Sequence, residues 1–79
     1  MGAREEILEA LTSLCRRTGS DTFTPQDVVD ELARRGSWYS PSTIRTHVVS
    51  RMCANAPNNH GTVYRDLERV GDGRYKRRG

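Results

Sequence analysis

Two helix-start signals separated by one short connection constrain this chain more than any other feature. Thr24-Pro25-Gln26-Asp27 and Ser40-Pro41 each put a hydroxyl at the N-cap position and a proline at the first helical position. There the missing proline N–H is no loss, and its φ is already helical. Asp27, three residues after Thr24, completes a variant capping box. Val28, Val29, Leu32 and Ala33 supply an apolar face, and Arg34-Arg35-Gly36 is a cationic last turn with a glycine stop. The signals predict one helix over about 25–35 and another over about 41–54, which Pro57 closes by disfavouring helical geometry at Ala56. The connection Gly36-Ser37-Trp38-Tyr39 is tight and contains glycine, the spacing of a helix-turn-helix.

The rest of the chain adds a support before this pair and a hairpin after it. Ile7, Leu8, Leu11, Leu14 and Cys15 recur at helical spacing, predicting an amphipathic helix over about 4–17. Glu5 and Glu6 near its start and Arg16 and Arg17 near its end suit the helix dipole. Thr22-Phe23 is a candidate minor strand. Residues 62–70 and 74–78 read as two strands around Gly71-Asp72-Gly73, either as a two-residue Asp-Gly turn or as a three-residue bulged loop. Leu67, Val70 and Tyr75 are the expected core-facing members of that hairpin.

Size and charge narrow the function classes. A chain of 79 residues with 34% apolar residues has room for one domain, residues 1–79, and little room for a substrate pocket, so catalysis is not expected. No nucleophile elbow or paired acidic site stands in the sequence. Cys15 and Cys53 read as reduced thiols of a cytoplasmic chain, with Cys15 on a buried stripe. The spacing of the two Cys and two His is wrong for zinc, so neither a metal nor a cofactor is expected. No apolar run reaches membrane-spanning length, and the N-terminus lacks a signal core.

The net charge of +3 conceals a division. Residues 1–33 carry three basic and seven acidic side chains, a net −4; residues 34–79 carry ten basic and three acidic ones, a net +7. Such polarisation points to a polyanionic partner for the second half, against the bland alternative of an unevenly solvated surface.

On a helical wheel Ile44, Val48 and Met52 share the inner face of the third helix. The outer face carries Ser42, Thr43, Thr46, Val49, Ser50 and Cys53, with Arg45 and His47 on its flanks and no acidic residue. Hydroxyls, a methyl-bearing Val and Arg suit a major groove: Arg45 can pair with guanine, and Thr46 or Val49 can touch a thymine methyl. Ser40 to Thr43 form a helix N-terminus that favours phosphate. Asn58, Asn59 and His60 either contact bases or sugars or cap their own loop. Trp38 and Tyr39 either brace the turn against the core or, with Val49, form an apolar notch for a modified base. Arg69, Arg74, Lys76 and Arg77 make the hairpin strongly basic. Six phosphate contacts would give a salt slope of roughly −5.

Three blocks carry a family resemblance: Phe23-Thr24-Pro25-Gln26-Asp27-Val28-Val29, Ser40 through Val48, and Tyr64 through Tyr75. With them the chain resembles the winged helix-turn-helix family over nearly its whole length. The third block looks like winged helices that accompany restriction endonucleases and phage-defence proteins. The resemblance implies an α+β fold of three helices followed by a β-hairpin wing, with a short extra strand near residues 22–23. It implies double-stranded DNA, methylated or otherwise modified DNA included, as partner, with Ser42, Thr43, Arg45, Thr46 and Ser50 facing it. Arg74 and Lys76, with Arg69, would serve the wing. A fused or separate nuclease and a monomer or weak homodimer belong to the same expectation. Asp72 departs from the basic wing tips of many such domains, and an acidic tip opposes deep insertion against phosphate. The alternative role for the same fold is a protein-interaction or dimerisation scaffold.

Overall fold

The computed structural model describes residues 2–54 and 64–78. The first helix, α1 (Ala3–Thr18), buries Ala3, Ile7, Ala10, Leu11 and Leu14, while Leu8 and Cys15 pack only partly against the core. A two-residue strand, β1 (Thr22–Phe23), leads into α2 (Pro25–Arg34). The expected cap is present at both of its ends. Thr24 Oγ1 accepts from the Asp27 N–H at 3.0 Å, and the Asp27 carboxylate accepts from the Thr24 N–H at 2.9 Å. At the far end Gly36 takes φ +78°, which lets Ser37 N–H return to the Leu32 carbonyl at 3.0 Å.

Ala33 is exposed rather than part of the apolar face, and Glu31 is buried in its place. The two residues flank the Val28–Leu32 stripe on opposite sides. The flank that meets α1 is that of Glu31, whose carboxylate is neutralised by Arg17.

The third helix departs most from expectation. Helix α3 (Pro41–Thr46) is capped by Ser40 and continues as a π-helical turn, His47–Arg51, closed by Met52 N–H on the His47 carbonyl at 2.8 Å. The helical course therefore ends at Arg51, short of 54, and Pro57 lies outside the described residues. Ile44, Val48 and Met52 are buried as expected, but Cys53 is buried too, not on the outer face. Beyond Met52 the chain has left the helix, and Cys53 forms a parallel bridge with Leu67. Leu67 makes the accompanying backbone bonds to the two residues flanking Cys53: it accepts from the Ala54 N–H and donates to the Met52 carbonyl, both at 2.8 Å. Strand pairing, not helical phase, turns the Cys53 thiol inward.

The sheet is antiparallel throughout, in the order β1-β3-β2, with β2 at Leu67–Gly71 and β3 at Arg74–Arg77. The wing strands are thus shorter than the 62–70 and 74–78 expected; Tyr64 to Asp66 are not strand, and residues 62 and 63 lie outside the described residues. Asp72-Gly73 forms the two-residue turn, with Gly73 at φ +71° and a bulge between Arg69 and Gly71. Leu67 and Tyr75 are buried, but Val70 is 44% exposed. Val70 is the extra residue of the bulge, outside the register with β3, and the alternation that turns Leu67 inward does not carry it to the core face. The result is α+β: three helices and a C-terminal antiparallel sheet in a winged-helix-like topology.

Candidate nucleic-acid interface

From Leu32 to Arg65 the sequence contains no acidic residue. The described part of this stretch includes the end of α2, the turn, α3 and the π-helical turn, so the third helical element itself carries no acidic side chain; the acid nearest to it in the hydrogen-bond network is Asp30 of α2. Ser42, Arg45 and Thr46 are exposed, Val49 is 37% exposed, and Thr43 and Ser50 are half-buried.

Several of these groups are already engaged. Ser40 Oγ accepts from the Thr43 N–H at 3.2 Å and shares a 3.0 Å hydrogen bond with the Thr43 hydroxyl, so both hydroxyls serve the cap. Arg45 Nη2 donates to Gln26 Oε1 at 2.5 Å, and Gln26 Nε2 donates to Asp30 Oδ1 at 2.9 Å. This relay from α2 holds the Arg45 guanidinium at a fixed place above α3. The His47 ring is oriented by Nδ1 against the Thr43 carbonyl at 2.9 Å, which leaves Nε2 outward.

Sequence reasoning missed Arg51. A 3.6-residue wheel puts it beside Ile44 on the buried stripe, yet it is exposed. The i→i+5 closure of the π turn adds about one residue to that turn and swings Arg51 outward. It then lines a hollow of about 250 Å³ with Ser42, Thr43, Thr46 and His47. Nothing local in His47-Val48-Val49-Ser50-Arg51 announces this; the signal is the distant pairing of Cys53 with Leu67.

The wing is a different kind of surface. Arg69 donates to the Gly71 carbonyl at 3.3 Å and pairs with Asp72 at 3.2 Å, so the acidic tip is matched within the hairpin. Arg74 Nη2 donates to Thr22 Oγ1 at 2.8 Å. Arg77 shares the core-facing side of the sheet with Leu67 and reaches Thr12 on α1 at 3.1 Å. Lys76 lies on the other side, between its partners Glu68 and Thr22. Asn58, Asn59 and His60 lie outside the described residues.

The aromatic pair does not brace the turn as a unit. Tyr39 packs against the core, but Trp38 is 82% exposed and stacks on Tyr39 with ring centroids 4.6 Å apart and planes at 19°. Val49 sits on the π turn, at the far end of the element that Tyr39 leads into.

Elsewhere the side chains serve the scaffold. Arg4 grips Asp66 through two hydrogen bonds of 2.7 and 2.9 Å and lies 4.4 Å from the centre of the Tyr64 ring, tying α1 to the segment before β2. The bond to Asp66 raises the Arg4 pKa. Both cysteines are free thiols. Burial pushes the Cys15 thiol up, which disfavours its nucleophilic form. Among the described residues no group of three or more His, Cys, Asp or Glu gathers where a metal ion could be held. No helix among them is long and apolar enough to cross a membrane.

A model of one protein family, described as a domain of unknown function, matches residues 4–77, from the first turn of α1 to the end of β3. No curated protein and no solved structure matches the chain.

Proposed function

The chain belongs to that family, DUF7669, whose description assigns no activity, and we propose from the chain's own surface that it is a double-stranded-DNA-binding module. The observation that carries this reading is the acid-free stretch from Leu32 to Arg65, of which residues 41–51 form α3 and the π turn with Ser42, Arg45, Thr46 and Arg51 exposed. In this reading α3 and the π turn enter the major groove. Ser42 and Thr46 offer hydroxyls, Arg45 and Arg51 offer guanidinium forks, and Val49 offers a methyl surface to base edges. The wing follows the backbone, with Lys76 and Arg74 as its outer cations. Arg69 would have to leave Asp72 and the Gly71 carbonyl to join them, and Arg77 would have to leave Thr12. Binding, not catalysis, is the activity. The free thiols suit a reducing compartment, which we take to be the cytoplasm. The winged-helix resemblance adds restriction or phage defence as a setting, with modified DNA as a target class and a nuclease as a fused or separate partner.

Duplex titration across a salt series tests this. The two backbone-facing wing cations, Arg74 and Lys76, predict a slope of about −2 in log affinity against log salt. Absence of salt-sensitive duplex binding, together with stable self-association in light scattering, would overturn the reading and assign the fold a scaffold role.

A further inference from the structure

Trp38 is the chain's one tryptophan, and at 82% it is the most exposed large apolar side chain among the described residues. Its environment is ordered. One face of the indole rests on the Tyr39 ring at 4.6 Å, nearly parallel, and Tyr39 is itself packed against the core. The Tyr39 N–H donates to Ser37 Oγ at 3.4 Å, which tightens the turn beneath the pair. The indole is therefore held flat by a neighbour that the core fixes, with its second face toward solvent. A flat, open ring suits a planar ligand; a methyl group needs a concave notch, and an exposed ring face is not one.

The surroundings select which planar ligand. In the sequence Trp38 lies between Arg34-Arg35 and the start of α3, inside the stretch without acidic residues. In the fold Arg35 pairs with Glu9 of α1 at 3.2 Å, which leaves Arg34 as the neighbouring cation without an ion pair among the described residues. A planar aromatic group carried on a polyanion fits that charge, and such a group is a nucleobase. Bases inside a duplex have both faces covered by their neighbours, so away from the duplex ends, which any two duplexes of the same length share, only an unpaired base can offer a face to the indole. We infer that Trp38, backed by Tyr39, is a stacking platform for an unpaired base, and that the preferred partner is duplex DNA carrying one. This rests on the duplex-binding reading of α3 and adds a second contact at its leading end. Stacking on an aromatic side chain is tolerant of base identity, so the platform selects DNA structure and not sequence.

Because Trp38 is the sole tryptophan, its emission reports the contact directly. Two DNAs are compared: a fully paired blunt duplex and the same duplex with one internal bulged nucleotide. The bulged duplex should bind roughly 5- to 100-fold more tightly and quench tryptophan emission; the blunt one should bind with emission nearly unchanged. Trp38→Ala should erase the preference while leaving affinity for the blunt duplex intact, and Trp38→Phe should keep part of the preference. The exposure of the side chain means neither change opens the core. Equal affinity and equal emission for the two DNAs would overturn the platform while leaving duplex binding standing. A preference that survives Trp38→Ala would also overturn it. Failure of both DNAs to bind would overturn both readings.

Discussion

The hairpin and the third helix both carry cations, but they hold them differently. In the wing, Arg69 is paired with Asp72, Arg74 with the Thr22 hydroxyl and Arg77 with Thr12 on α1, while Lys76 stands on the outer side between Glu68 and Thr22. On the helix, Arg45 is held by Gln26 from behind, and Arg51 opens onto a hollow lined by hydroxyls and an imidazole. Long-range attraction of DNA depends on total charge, and both regions contribute to it equally well. Contact depends on a side chain that can reach a phosphate or base without first giving up a partner. On the proposed duplex-binding reading, Arg51 on the helix and Lys76 on the wing would supply the closer contacts, while Arg69, Arg74 and Arg77 would attract DNA and steady the fold. Counting basic residues along the sequence overstates the wing for this reason.

The difference between the two regions rests on one side chain that joins them. Leu67 is fully buried, opens β2, and bonds through its backbone to Met52 and Ala54 after the π turn. Leu67→Ala should destabilise the fold by about 2–5 kcal/mol, a large share of what so small a domain can hold. Chemical denaturation would read this as a lower midpoint. DNA binding by helix and wing should fall together, and should recover together under stabilising conditions. A loss confined to one region would mean that they fold independently.

The next effect separates the regions. Arg51→Ala should weaken duplex binding by about 1–2 kcal/mol and flatten the salt slope by about 1 if it meets phosphate. Arg77→Ala should leave the slope unchanged and appear only as a slightly lower unfolding midpoint, because its guanidinium faces α1. The reverse pattern would make the wing the main contact surface.

What could be read from the residues divides along the same line. The caps at Thr24 and Ser40, the glycine stop at Gly36 and the Asp72-Gly73 turn are local, because each satisfies backbone groups within a few residues. The three helices, the short strand and the hairpin followed from them. The π turn did not, since five residues are too few to distinguish its period from that of an α-helix. It is coupled to the bridge between Cys53 and Leu67, distant in sequence, and the outward swing of Arg51 depends on it. Trp38 was undecided for a similar reason. An aromatic residue after a glycine can turn either way, and here Tyr39 takes the place against the core. The engagement of the wing cations was hidden as well, because Thr12 and Thr22 come beside them only through the tertiary fold.

The smallest effect sharpens the contrast from the wing side. Asp72 is fully exposed at the tip and holds Arg69 within the hairpin. Asp72→Asn keeps the turn geometry and the side-chain size while removing the charge that draws Arg69 back. An exposed pair of this kind is weak, so folding stability should hardly change. Duplex affinity should nevertheless rise roughly twofold at low salt, with the gain fading as salt screens it, because the tip loses a charge that repels phosphate. The measurement is the ratio of variant to parent affinity along the salt series. A ratio above one that closes with salt locates the wing tip near the DNA backbone; a ratio of one at every salt concentration would mean that the wing turns away from the duplex, leaving α3 and the π turn to bind alone.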